Sequence, residues 1–139
     1  MHRKFLATML LAGTLVAAGC DNEIEDATGP APPAPTTTDV FTGTINVNGA
    51  QTHTFPVVAS GSVSVELTDV LPDPAIAVGL TLGTWTGQAA CTAVIANDNA
   101  LRGNAVVGNA SGAGILCARI HDVGKLTGPL EYKLTVVHP

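Results

Sequence analysis

The sequence predicts an all-β domain: an antiparallel, jelly-roll-like β-sandwich of about eight strands, preceded by a signal helix and a disordered linker. Three observations predict it. Beyond residue 38, apolar residues alternate with small polar ones, the period of a strand with one buried face. Turn-forming clusters recur between these runs. No stretch after the first twenty residues carries a 3.6-residue apolar period with helix caps. At 139 residues the chain holds one domain and a tail, and its 46% apolar content excludes a wholly disordered polymer. Six Lys and Arg against eleven Asp and Glu leave no basic face, which excludes nucleic acid as a partner.

Residues 1–19 read as an export signal. Arg3 and Lys4 give the positive start, and residues 5–18 form a 14-residue apolar run without a charge. That run is shorter than the ~20 residues of a membrane-spanning helix, so the segment is a secretory signal. Small residues precede Cys20 directly. The stretch Leu15-Val16-Ala17-Ala18-Gly19-Cys20 resembles the lipobox of bacterial lipoproteins, with Ala17 where Leu is usual. The resemblance implies cleavage between Gly19 and Cys20, a diacylglyceryl group on the Cys20 thiol, and a further fatty acyl chain such as palmitate on the new amino terminus. Two or three acyl chains hold a protein stably on a bilayer, whereas one does not. The alternative is an ordinary signal cut after an Ala-x-Ala-like site, with Cys20 incidental. Asp21 resembles the inner-membrane retention signal of enterobacterial lipoproteins. That rule belongs to one bacterial group, so the choice between inner and outer membrane stays open.

Residues 20–38 read as the lipidated Cys and its tether. Without the signal the chain keeps four bases and eleven acids, net −7. Asp21, Glu23, Glu25 and Asp26 precede Pro30, Pro32, Pro33 and Pro35, and Thr36-Thr37-Thr38 ends the segment. So few large apolar groups do not offset the ordering entropy, and an acidic, partly polyproline-II spacer is expected. Extended, it would hold the domain up to about 50 Å from the bilayer.

The sandwich is expected over residues 39–139, with strands near 40–47, 51–58, 62–70, 75–83, 89–96, 100–107, 114–121 and 130–137. Val63, Val65 and Leu67 share one face of the third strand; Ile76, Val78, Leu80 and Leu82 share one face of the fourth. Tyr132, Leu134 and Val136 do so in the last. Asn48-Gly49 reads as a two-residue hairpin turn, since a type I′ turn needs positive φ at both positions. Ser60-Gly61 marks the next turn, and Pro72-Asp73-Pro74 interrupts the chain where a central strand would lose donors. Asn97-Asp98-Asn99 and the Gly-rich stretch from Gly108 to Gly114 read as loops, the latter as a β-hairpin loop; Gly124 and Gly128-Pro129 close the series.

Phe55 and Tyr132 are expected in the core, each stabilising by ~1.5–3 kcal/mol. Trp85, in Gly83-Thr84-Trp85-Thr86-Gly87, is expected in a loop. It is the candidate ligand-binding anchor, with a Trp folded over one end of the sandwich as the alternative. Cys91 and Cys117 are expected to form a disulfide in an oxidising compartment. Two buried thiols or a metal pair are the alternatives, though no Cys-x-x-Cys spacing favours a zinc or redox site.

Phe41-Thr42-Gly43-Thr44-Ile45, His53-Thr54-Phe55, Gly61-Ser62-Val63-Ser64-Val65-Glu66-Leu67, Gly112-Ala113-Gly114-Ile115-Leu116-Cys117-Ala118-Arg119-Ile120 and Tyr132-Lys133-Leu134-Thr135-Val136 form a pattern. It is similar to the bacterial pre-peptidase C-terminal (PPC-like) domain. The resemblance implies a jelly-roll sandwich with a non-catalytic accessory or adhesion role. Where that family often has Gly-x-Tyr, this chain has Gly114-Ile115-Leu116.

Catalysis would need convergent reactive groups. His121 with Asp122 and one of Ser60, Ser62, Ser64 or Ser111 is the arrangement to weigh, but no Gly-x-Ser-x-Gly elbow surrounds any of these serines. Asp69, Asp73, Asp98 and Asp122 sit in turns; solvated turn carboxylates are the expectation, and a calcium site among them the alternative. No Walker lysine accompanies the Gly-rich stretch. The expected protein is a non-enzymatic lipoprotein of the bacterial envelope without a cofactor or metal. It would be anchored to the inner or outer membrane through Cys20, with its domain exported to the periplasm or cell surface. A polysaccharide or protein of the envelope is the expected partner. A structural subunit pairing through edge strands is the second reading, and a hydrolase or metal enzyme the third.

Overall fold

Eight strands follow the alternation: β1 Thr37–Ile45, β2 Ala50–Val57, β3 Gly61–Leu71, β4 Val78–Trp85, β5 Cys91–Ala100, β6 Ala105–Ala110, β7 Gly114–His121 and β8 Leu130–His138. The computed structural model describes Gly29, Pro30 and residues 32–88 and 90–139. The expected signal, the Gly19–Cys20 cleavage site, lipidation at Cys20 and most of the tether lie outside the described residues. Pro32–Pro139 forms one folded unit.

The strands make two four-stranded sheets, β1-β8-β3-β6 and β2-β7-β4-β5. Every pairing is antiparallel. Apart from β4 and β5, each strand lies in the other sheet from the one before it. That order is the jelly roll, two interlocked Greek keys folded into a sandwich.

Alternation decides which residues fill the space between the sheets. Val63, Val65 and Leu67 of β3, Leu134 and Val136 of β8, and Val78 and Leu80 of β4 are fully buried. Phe55 and Tyr132 join them, and Leu126 closes one end from the link between β7 and β8. Gly43 makes room for Tyr132, because a Cβ there would stand 2.5 Å from the phenolic oxygen.

Four local expectations change. Asn48-Gly49 does not close a hairpin: β1 pairs with β8 and β2 with β7, so the turn carries the chain between sheets. It is a four-residue turn, Gly49 N–H donating to the Asn46 carbonyl at 2.8 Å, and Asn48 takes the positive φ of 59°. Asn97-Asp98-Asn99 lies inside β5, where the register against β4 slips between Val78 and Leu80. Asn97 Oδ1 accepts the Asn99 N–H at 3.0 Å, so the turn chemistry builds a bulge instead of a loop. The real turn falls at residues 101–104, where Gly103 has φ 86° and Asn104 N–H reaches the Leu101 carbonyl at 2.9 Å. The glycines near 108–114 join two sheets and form no hairpin, with Asn109 and Ala110 paired in β6. The chain also enters the sandwich earlier than residue 39, since Thr37 pairs with His138 and Thr38 with Val137.

Candidate functional site

The outer face of the β2-β7-β4-β5 sheet carries most of the residues singled out by their chemistry. Inward positions on β4 are Val78, Leu80 and Leu82, so Gly79, Thr81, Gly83 and Trp85 point outward. Opposite them on β7 stand His121, Arg119 and Cys117. β4 is nevertheless buried on both faces from Val78 to Gly83, because side chains of β7 cross it to reach β5.

The first crossing is covalent. Cys117 of β7 forms a disulfide with Cys91 of β5, with a Cα–Cα separation of 5.8 Å. Gly83 lies beneath it: a Cβ there would collide with the Thr92 carbonyl oxygen and stand 3.0 Å from Cys91 Sγ. The second crossing is polar. His121 Nε2 lies 3.4 Å from Asp98 Oδ1 on β5, and the imidazole lies over Gly79, where a Cβ would run into the ring. Burial is the main cause that lowers the His121 pKa from its ordinary value; Arg119 lowers it further, against the opposing pull of Asp98 and Asp122. His121 Nδ1 is buried without a hydrogen-bond partner.

Trp85 is not in a loop. It is the last residue of β4, paired with Cys91 across the β4–β5 hairpin. It stands half-buried one step beyond the Thr84–Leu116 pair, beside Ile115, which in turn pairs with Pro56 of β2. Pro56, Ile115, Trp85 and Cys91 thus form an uncharged row across all four strands. The sequence pointed to Trp85 alone. Pro56 and Ile115 come from strands about 30 residues away in either direction, and only the pairing brings them beside it.

His53 and His138 close the sides of the sandwich. His53 lies on the face of Phe55, as alternation predicts. Its ring stacks on Phe41, with centroids 4.7 Å apart, and Nε2 lies 2.7 Å from Tyr132 Oη. Burial lowers the His53 pKa and raises that of Tyr132. His138 is buried with Nε2 3.1 Å from Asp39 Oδ2, tying the end of β8 to β1.

The four aspartates expected in turns do not converge, and only Asp73 and Asp122 lie in links, with Asp69 in β3 and Asp98 in β5. Asp69 Oδ1 accepts the Val70 N–H at 3.0 Å, Asp73 Oδ1 accepts that of Ala75 at 2.9 Å, and Asp98 faces His121. Asp122 organises the longest link. Its carboxylate accepts the backbone N–H groups of Asn48, Gly124, Lys125 and Leu126 at 2.8–3.1 Å. The Asn48 bond is the largest cause that lowers its pKa. Among the described residues no group of three or more His, Cys, Asp or Glu side chains is placed to hold a metal ion. Ser60 and Ser111 sit in links at the opposite end of the sandwich from His121, and Ser62 and Ser64 lie on the other sheet.

A surface groove of about 350 Å³ runs over β8 on the outer face of the β1-β8-β3-β6 sheet. Glu131 and Lys133 form its floor, Thr42 and Thr44 one wall, Asp69 and Leu71 the other. Arg102 stands 3.8 Å from Asp69 at its rim.

No protein-family model matches the chain, and no curated protein matches it either.

Proposed function

We propose that this chain is a lipid-anchored protein of the bacterial envelope whose sandwich is a non-catalytic binding or scaffolding domain. The observation that carries this reading is the run Leu15-Val16-Ala17-Ala18-Gly19-Cys20 behind a short apolar segment, followed at once by an acidic, Pro-rich spacer. The domain behind the spacer suits that role. Its histidines sit in pairs that close the sandwich, with Tyr132, Asp98 and Asp39 as partners. Its exposed features are recognition surfaces: the Trp85 row and the groove over Glu131 and Lys133. The resemblance to the pre-peptidase C-terminal domain implies an accessory or adhesion role, which we propose for this sandwich.

The test is the intact mass of the protein extracted from its own membrane, before and after reduction. The expected species begins at Cys20 and carries acyl chains. Cys20→Ala should leave the chain unacylated and soluble, with an unfolding midpoint equal to that of the parent, because the buried core starts at Ile45. An unacylated native protein would overturn the reading.

A further inference from the structure

We infer that the sandwich docks end-on against the lipid bilayer through the pole at which the tether enters. The inference rests on the anchored reading above and goes beyond it by assigning an orientation and a contact surface.

Strands β1, β3, β5 and β7 begin, and β2, β4, β6 and β8 end, at this pole. The links that follow Val57, Trp85 and Ala110 lie here, and none contains Asp, Glu, Lys or Arg. The links of the opposite pole carry Asp73, Arg102, Asp122 and Lys125, and Asp98, Arg119 and Glu131 stand near the adjoining strand ends. Charge is therefore segregated along the strand axis. Asp39 lies near the tether pole with its carboxylate engaged by His138, and Pro139 lies there too, its backbone oxygen accepting the Val58 N–H at 3.2 Å.

Apolar side chains are exposed at both poles, Val47, Leu71 and Leu101 at the charged one; at the uncharged one Val58 is 75% exposed and Ile115 52%, with Trp85 half-buried next to Ile115 on the outer face of its sheet. A charged surface pressed against lipid would have to shed water from its ions, which is costly. A surface whose links carry no charge escapes most of that cost, and an indole is at home in the interfacial zone of a bilayer. The position of Thr37 adds the second argument. The segment from Cys20 reaches the sandwich here, so the anchor presents this pole to the membrane at an effective concentration on the order of millimolar. A weak interfacial affinity then suffices. The charge-rich pole, with the rim of the groove over Glu131, faces away from the lipid.

Trp85 is the only tryptophan of the chain, so its fluorescence reports this pole alone. The experiment uses the full acylated protein in phosphatidylcholine vesicles, with and without bromine on the acyl chains near the headgroups. Flotation of the vesicles reports the anchor, and Trp85 emission reports the docking. The expected result is flotation together with loss of about half the Trp85 emission in brominated vesicles. Val58→Glu should restore most of that emission without altering flotation, because it adds a charge at an exposed position. Flotation with unquenched Trp85 overturns the docking and leaves the anchor standing. Neither flotation nor quenching overturns both. Quenching of an unacylated chain sustains the docking and overturns the anchor. Emission that ignores brominated lipid but responds to envelope glycan fragments overturns the docking in favour of a glycan-binding pole. Quenching that Val58→Glu leaves unchanged also overturns the assignment of the contact surface.

Discussion

A side chain of β7 can reach β5 only where β4, lying between them, has no side chain at the crossing point. Gly79 and Gly83 supply two such gaps, four residues apart on the outer face, one under the His121 imidazole and one under the disulfide. Gly79→Ala and Gly83→Ala should each lower the unfolding free energy by roughly 1–3 kcal/mol, the range for forcing extra carbon into a filled site. Gly114→Ala is the matched control: nothing lies within 4 Å of a Cβ there, and its φ is not in the positive region. It should stay within about 0.5 kcal/mol of the parent in urea unfolding. Equal stability for all three variants would remove the crossing argument. Half of this arrangement was legible in the sequence. The inward phase of β4 follows from Val78, Leu80 and Leu82. The outward glycines read as mere small residues, because what covers them comes from β5 and β7, with His121 42 positions from Gly79 and Cys117 34 from Gly83, and no local pattern records it.

At the scale of the element, the strands easiest to place were those with strict alternation and no internal turn chemistry. β2, β3, β7 and β8 lie within about one residue of their expected bounds. β5 and β6 shift because Asn97-Asp98-Asn99 folds into a bulge while Leu101-Arg102-Gly103-Asn104 makes the turn, and β4 shifts because it begins at Val78 and runs on through Trp85. Polar, turn-prone residues tolerate a bulge as readily as a loop, so composition alone does not separate the two. The bulges also explain what the disulfide does. β5 is an edge strand whose only ladder partner is β4, and that ladder slips twice. The Cys91–Cys117 bond fastens its first residue to β7 instead. With 26 residues of sequence separation, the bond should contribute about 3.5 kcal/mol in the loop-entropy account. Replacing both cysteines by Ala should lower stability by that amount. Amide exchange should rise first in β5, while β3 and β8, at the centre of the other sheet, stay protected. Uniform loss of protection through both sheets would show that the bond holds the whole sandwich and not its edge.

The whole molecule combines these groups into one dependence of stability on pH. His53 and His121 both have pKa values below the ordinary 6.5 in the folded chain, chiefly through burial. The unfolded chain therefore takes up protons at these sites before the folded one does, and stability falls as pH drops below about 6.5. Asp122 is held below its ordinary 3.8, first by the Asn48 N–H, so its contribution is present at neutral pH and is lost on acidification below about 4. Tyr132 acts with the opposite sign. Its pKa is raised above 10.0 by burial, so the folded chain keeps a proton that the unfolded chain gives up, and stability falls as pH rises past 10. The expected profile of unfolding midpoint against pH is a plateau between roughly 7 and 10, with losses in two acid steps and one alkaline step. General charge repulsion in a chain of net charge −5 would instead favour the acid side as carboxylates neutralise, so the sign of the first acid step separates the two causes. Replacing His53 with Gln should remove part of the step below pH 6.5 and leave the Asp122 step in place, because the two groups lie on different elements and share no partner. Midpoints that rise steadily from pH 7 to pH 5 would mean that burial of these imidazoles does not govern the acid response.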